Sequence, residues 1–148
     1  PVRVVVSRHL DLDPDGVLGQ SASTVPLWLC HAKATDQSRI DAWVKRGAET
    51  LACGVTDGQV DLARALEAMA ERGLTRVLCE GGGNLAASLL SQGLVDRLVV
   101  FSAGLALGAE GLPGLAAMGI DRLATAPRFD LEDLRSVGPD VMSVWRRN

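Results

Sequence analysis

The chain reads as an α/β protein in which a mixed, mostly parallel sheet carries helices on both faces and closes on an antiparallel hairpin. Three observations predict this. Short β-branched runs alternate with amphipathic helical stretches from Val2 to Ala103. The alternation stops at a glycine-rich segment, Gly104 to Gly119. Two strand-like runs follow, Arg128 to Val137 and Val141 to Arg147, separated by the hairpin signal Gly138-Pro139-Asp140. With 148 residues, 47% of them apolar, the chain is of one-domain length and can bury one ordinary core.

The elements follow in order. Val2 to Val6 is β-branched and nearly all apolar, the pattern of a strand buried on both faces. A long loop with the turn signal Asp13-Pro14-Asp15-Gly16 leads to a second strand, Val25 to Cys30. Asp36 or Ser38 caps a short helix with Ile40, Trp43 and Val44 on one face, stopped by Gly47, and Glu49 to Cys53 is strand three. Asp61 caps a helix whose Leu62, Leu66, Met69 and Ala70 form an apolar stripe, with Gly73 at its end and Arg76 to Cys79 as strand four. After three glycines, Leu85, Ala86, Leu89 and Leu90 line a helix ending at Gly93, and Arg97 to Ala103 is strand five.

Composition narrows the function. A net charge of −3, scattered basic residues, and only three Trp and two Phe give neither an electrostatic footprint for nucleic acid nor a stacking platform for bases. The longest apolar run, Leu98 to Ala109, is well short of the roughly 20 residues a membrane span requires, so a soluble protein is expected. Cys30, Cys53 and Cys79 lack metal-type spacing and read as reduced core thiols. His9 and His31 lie far apart without a ligand set and read as surface residues, so no metal site is expected.

One stretch carries chemistry. Gly81-Gly82-Gly83-Asn84-Leu85-Ala86 fits the G-x-G-x-x-G/A pattern, follows a predicted strand and opens a predicted helix. Glycines let backbone approach a pyrophosphate, which free N–H groups and the helix dipole then stabilise. A plain tight turn needs only one glycine, and each further one forgoes about 0.5–1 kcal/mol of chain entropy relative to alanine. A Rossmann unit, however, places its ribose-binding acid after the next strand, whereas Asp96 precedes that strand, and its loop follows the first strand of the unit rather than the fourth. A Rossmann-type NAD(P) dehydrogenase therefore stays as an alternative.

CEGGGNLAASLLSQGLVDRLVVF, from Cys79 to Phe101, resembles the reductase domain of the bifunctional riboflavin-biosynthesis deaminase-reductase. The likeness continues through GLPGL at Gly111 to Leu115, DRLATAPRF at Asp121 to Phe129 and VGPDV at Val137 to Val141. It implies a three-layer, dihydrofolate reductase-like fold and a cytoplasmic, homodimeric, NADPH-dependent reductase of 5-amino-6-(5-phosphoribosylamino)uracil. VRVVVSRHLDL also resembles the segment of that fold lying beside the 2′-phosphate of NADPH, which assigns Ser7 and Arg8 to that phosphate. A guanidinium fork and a hydroxyl suit a dianion. The resemblance assigns Gly81, Gly82, Gly83, Asn84, Leu85, Ala86, Ala87 and Ser88 to the cofactor and Glu80 to the substrate, and it implies a cis Gly81-Gly82 peptide. Many relatives carry Pro-Thr in place of Gly83-Asn84 and Asp-Ser in place of Ser7-Arg8.

On the same resemblance, residues 1–148 correspond to about two-thirds of one reductase domain. A strand, an acidic substrate loop and a helix would precede Val2, and a zinc-bearing deaminase domain would lie further upstream. A fragment that only binds nucleotide or dimerises, without catalysis, is the remaining alternative.

Overall fold

The computed structural model describes residues 1–148, the side chain of Ala109 excepted. The chain forms two compact units, Pro1–Val77 and Leu78–Asn148.

In the first unit β1 (Arg3–Val6), β2 (Leu27–Ala32) and β3 (Glu49–Cys53) make a parallel sheet with β2 in the centre. All six residues of β2 are buried, because both faces of the sheet are covered. Alternate side chains serve alternate faces. Trp28 and Cys30 pack with Leu51, Cys53 and the Ala65 and Met69 of α3 (Leu62–Glu71). Leu27 and Leu29 pack with Leu10, Ala22 and the Trp43 of α2 (Gln37–Lys45). The result is helix, sheet, helix: three layers about two apolar clusters.

The helix signals are used as expected. Asp36 accepts from the Ser38 N–H at 2.8 Å, and Asp61 accepts from the Arg64 N–H at 3.1 Å. Hydrogen bonds from Ser38 hold the Asp36 carboxyl below its usual range. Gly47 and Gly73 stop their helices in the left-handed region, at φ +92° and +90°. Two small elements went unread in the sequence. A single helical turn, α1 (Val17–Gln20), interrupts the long loop, and β4 (Val55–Thr56) pairs with β5 (Gln59–Val60) in a hairpin. Asp57 and Gly58 turn that hairpin at φ +51° and +75°, both positive as a type I′ turn requires.

In the second unit α4 (Gly83–Ser91) buries Ala87 and Leu90, and β6 (Arg97–Ser102), β7 (Phe129–Val137) and β8 (Asp140–Arg147) form an antiparallel sheet in the order β6-β8-β7. Register shifts between Leu131 and Asp133, which leaves Glu132 as an extra residue in β7, and its carboxylate pairs with Arg97. Leu131 and Leu134, which share one face of this sheet through their partners Trp145 and Ser143, remain 51% and 60% exposed, and Phe101, opposite Met142 on the other face, 60%. No helix among the described residues is long and apolar enough to cross a membrane.

Four expectations are corrected. Arg76–Cys79 forms no strand: residues 74–82 run as irregular chain, with Leu78 77% exposed. A short apolar run specifies a strand only where a sheet edge takes up its N–H groups, and no ladder reaches this one. Cys79 is accordingly exposed, while Cys30 and Cys53 are buried as expected. His31 is buried rather than on the surface, because β2 runs two residues beyond its expected end at Cys30. Its Nδ1 lies 2.9 Å from the Ala32 carbonyl. The Gly81-Gly82 peptide is trans, the ordinary state for a non-proline bond.

The cysteines make a prediction. Burial pushes the Cys30 thiol up to about 12 and raises that of Cys53 as well, so neither supplies thiolate near neutral pH. Folded protein treated with a disulfide reagent is expected to release one equivalent of reporter, from Cys79, and three after denaturation. A second fast equivalent in the folded state would mean that the first unit opens on that timescale.

Candidate functional site

Two groups of residues can meet a ligand, one in each unit. In the first unit Ser7 and Arg8 directly follow β1, at the carboxyl end of the parallel sheet, where open α/β sheets place their ligands. The backbone there is firmly held. Ser7 N–H donates to the Cys30 carbonyl at 2.9 Å, and the Arg8 carbonyl accepts from Ala32 N–H at 3.1 Å and from the Thr35 hydroxyl at 2.9 Å. The side chains are engaged locally as well. Ser7 Oγ donates to the Asp11 carboxylate at 3.2 Å, and Arg8 Nη1 donates to the Gly58 carbonyl at 2.6 Å. Arg8 thus ties the β4–β5 hairpin to the end of β1.

Asp11 and the hairpin belong to this group but were not read from the sequence. Asp57-Gly58 between two short alternating runs was a usable hairpin signal. Asp11 carried no comparable signal, since its approach to Ser7 depends on Leu10, a residue held at φ +50° with its side chain 2% exposed. A leucine in that region is uncommon, and its core contacts keep it there.

The second group is Glu80 with the glycine loop. Glu80 is exposed on the irregular segment before α4, and its carboxylate takes part in none of the hydrogen bonds or ion pairs among the described residues. The three glycines differ in what a side chain at each would meet. A Cβ on Gly81 would come within 2.7 Å of Leu85 Cδ2, the movable end of a side chain. A Cβ on Gly83 would stand 3.0 Å from the Pro113 carbonyl oxygen and 3.2 Å from the Ala116 nitrogen, because residues 113–116 pack on the start of α4 and Ala116 N–H donates to the Gly83 carbonyl at 3.1 Å. Gly82 is different. Its φ of −65° and ψ of 170° suit any residue, and a Cβ there would meet nothing within 4 Å. Nothing within the protein demands glycine at 82, so the open space is what its missing side chain provides.

Gly82 is also the N-cap of α4, and no side chain caps it. The first N–H groups of α4 therefore lack the side-chain partner that Asp36 and Asp61 supply to α2 and α3. An open helix N-terminus behind a surface that admits close backbone approach accepts phosphate oxygens. Asn84, Leu85, Ala86, Ala87 and Ser88 follow on the first turns of that helix, with Ala87 turned into the core rather than outward. The glycine loop and helix start accordingly present open space and uncapped N–H groups, and in the first unit Ser7 and Arg8 present a hydroxyl and a guanidinium, with their hydrogen bonds already placed.

The chain matches the family model for the RibD C-terminal domain over residues 1–143. It is 30% identical over 142 residues to riboflavin biosynthesis protein RibD of Escherichia coli, covering 95% of this chain and 36% of that protein. It is 33% identical over 144 residues to the 2,5-diamino-6-ribosylamino-4(3H)-pyrimidinone 5′-phosphate reductase of Methanothermobacter thermautotrophicus, covering 96% of this chain and 64% of that one. It therefore spans just over a third of the first relative and just under two-thirds of the second. The structure of Acinetobacter baumannii RibD shares the fold, with a TM-score of 0.76 at 21% identity, over 100% of this chain and 38% of that one. A match that runs from the first strand of the parallel sheet into the last strand of the antiparallel one takes in both candidate groups, and on that ground the chain belongs to the RibD C-terminal domain family.

Proposed function

We propose that this chain reduces the ribosyl group of 5-amino-6-(5-phosphoribosylamino)uracil to the ribitylamino product, with NADPH, in riboflavin biosynthesis in the cytoplasm. The observation that carries the reading is Gly82: an open cradle and an uncapped helix N-terminus, inside a family match covering residues 1–143. When bound, the reduced nicotinamide supplies a hydride to the ribose carbon. The residues of the chain bind and orient. The N–H groups that open α4 take phosphate oxygens, and Ser7 and Arg8 take the 2′-phosphate by charge-assisted hydrogen bonds. Glu80 accepts hydrogen bonds from substrate hydroxyls or ring N–H groups, and holds the pyrimidine without itself donating a proton. Hydride transfer of this kind depends on contact and exclusion of water, which positioning residues supply.

A second substrate is favoured by one observation. The Methanothermobacter relative, 33% identical, is named as a reductase of the diaminopyrimidinone, which carries an amino group where the uracil carries a carbonyl oxygen. Both compounds should be supplied with NADPH to this chain and to a form extended upstream, with nicotinamide oxidation followed by absorbance. Oxidation with the uracil supports the first reading, and oxidation with the diaminopyrimidinone alone replaces its substrate. Neither, with no saturable NADPH binding by either form, overturns it. A second copy of the chain is part of the same proposal, supported by exposed Phe101, Leu131 and Leu134 on the antiparallel sheet.

A further inference from the structure

We propose that Asp11 sets the dinucleotide preference of this chain, holding its selectivity for a 2′-phosphorylated cofactor below what Ser7 and Arg8 alone would confer. The inference rests on the reductase reading and concerns only the loop after β1. A hydroxyl has one proton to give, and that of Ser7 goes to Asp11 Oδ1 at 3.2 Å. A phosphate arriving at Ser7 must break this bond and settle beside a carboxylate. Arg8 compensates in part, but its Nη1 is already committed to the Gly58 carbonyl at 2.6 Å, so the rest of its fork must meet the anion.

Asp11 cannot leave easily. Leu10 fixes the turn from the core at φ +50°, and the His9 carbonyl accepts from Arg39 Nη1 at 3.0 Å, which pins the loop and engages part of the Arg39 guanidinium. Arg39 and Asp11 line the same shallow cleft. An acidic side chain near a nucleotide ribose is also a hydrogen-bond acceptor for a 2′-hydroxyl. One carboxylate therefore disfavours the phosphate and favours the hydroxyl, and specificity is the difference between the two. Asp11 is exposed, so water and salt limit the effect to about tenfold.

The test is Asp11→Asn, which keeps the oxygen that accepts from Ser7 and removes the charge. NADPH and NADH are titrated by cofactor fluorescence, and adenosine 2′,5′-bisphosphate and adenosine 5′-monophosphate by thermal shift, so that the readout is binding. Asp11→Asn is expected to raise the NADPH-to-NADH affinity ratio about tenfold, with the same preference in the nucleotide pair. Adding Arg8→Gln should bring the ratio down again. Saturable binding with a ratio unchanged within twofold overturns the role of Asp11 and leaves the reductase reading standing. If neither dinucleotide binds wild type or variant, both fall together.

Discussion

Glu80→Gln is expected to lower turnover of the pyrimidine substrate by about ten- to a hundredfold while NADPH affinity stays within a few-fold. A hydrogen bond to a charged partner contributes roughly 1.5–3 kcal/mol, and about 1.4 kcal/mol is a factor of ten. Glutamine keeps the size and one acceptor oxygen, so what it removes is the charge. Folded-state stability should not move, because Glu80 is exposed and its carboxylate takes part in none of the hydrogen bonds among the described residues. This makes the variant a clean probe. Steady-state turnover and an equilibrium NADPH titration on the same preparation decide the outcome, since a loss of NADPH affinity would place Glu80 on the cofactor instead. The neighbouring glycines sharpen the contrast: Gly82 opens a surface suited to anions, and a carboxylate two residues earlier suits donors.

How much of this was legible beforehand depends on whether the information is local. Asp36, Asp61, Gly47 and Gly73 mark helix ends through their own backbone needs, and α2 and α3 stand where those residues put them. Strand positions also declare themselves, as Arg3–Val6 and Glu49–Cys53 do, but full burial does not: Arg3–Val6, expected to be buried on both faces, is only half-buried as an edge strand, and the fully buried strand is β2 in the centre. Val77 and Leu78 failed for the opposite reason: their apolar character is local, but a ladder partner is not, and they are exposed. Ala65 was missed and Ala70 wrongly placed on the α3 stripe, a one-step rotation that hydrophobicity alone does not resolve between two alanines. At the site, the glycine run advertised a backbone-approach surface, yet the distinct duties of its members did not show. Gly83 answers to Pro113 and Ala116, thirty residues on. Only packing reveals that dependence, just as only the turn at Leu10 brings Asp11 to Ser7.

That division of labour predicts opposite results for two neighbouring substitutions. Gly82→Ala should leave the melting temperature within about a degree, since alanine accepts φ −65° and ψ 170° and its Cβ meets nothing within 4 Å. On the proposed reading its methyl group intrudes on the approach of the phosphate to the uncapped helix start, and dinucleotide affinity should fall by about tenfold or more, the value of one lost charge-assisted hydrogen bond. Gly83→Ala should do the reverse. The methyl would sit 3.0 to 3.3 Å from three backbone atoms of residues 113–116, so the segment must retreat as a body and stretch the 3.1 Å bond from Ala116 N–H. Alanine is the better helix residue by about 0.8–1.0 kcal/mol, but a strained contact of that kind costs about 1–3 kcal/mol, so a net loss is expected. It should appear as a lower melting temperature and faster amide exchange at Ala116, with dinucleotide affinity less affected than in Gly82→Ala. If both variants lose stability and keep their affinity, α4 opens on glycines for packing alone, and the phosphate belongs elsewhere.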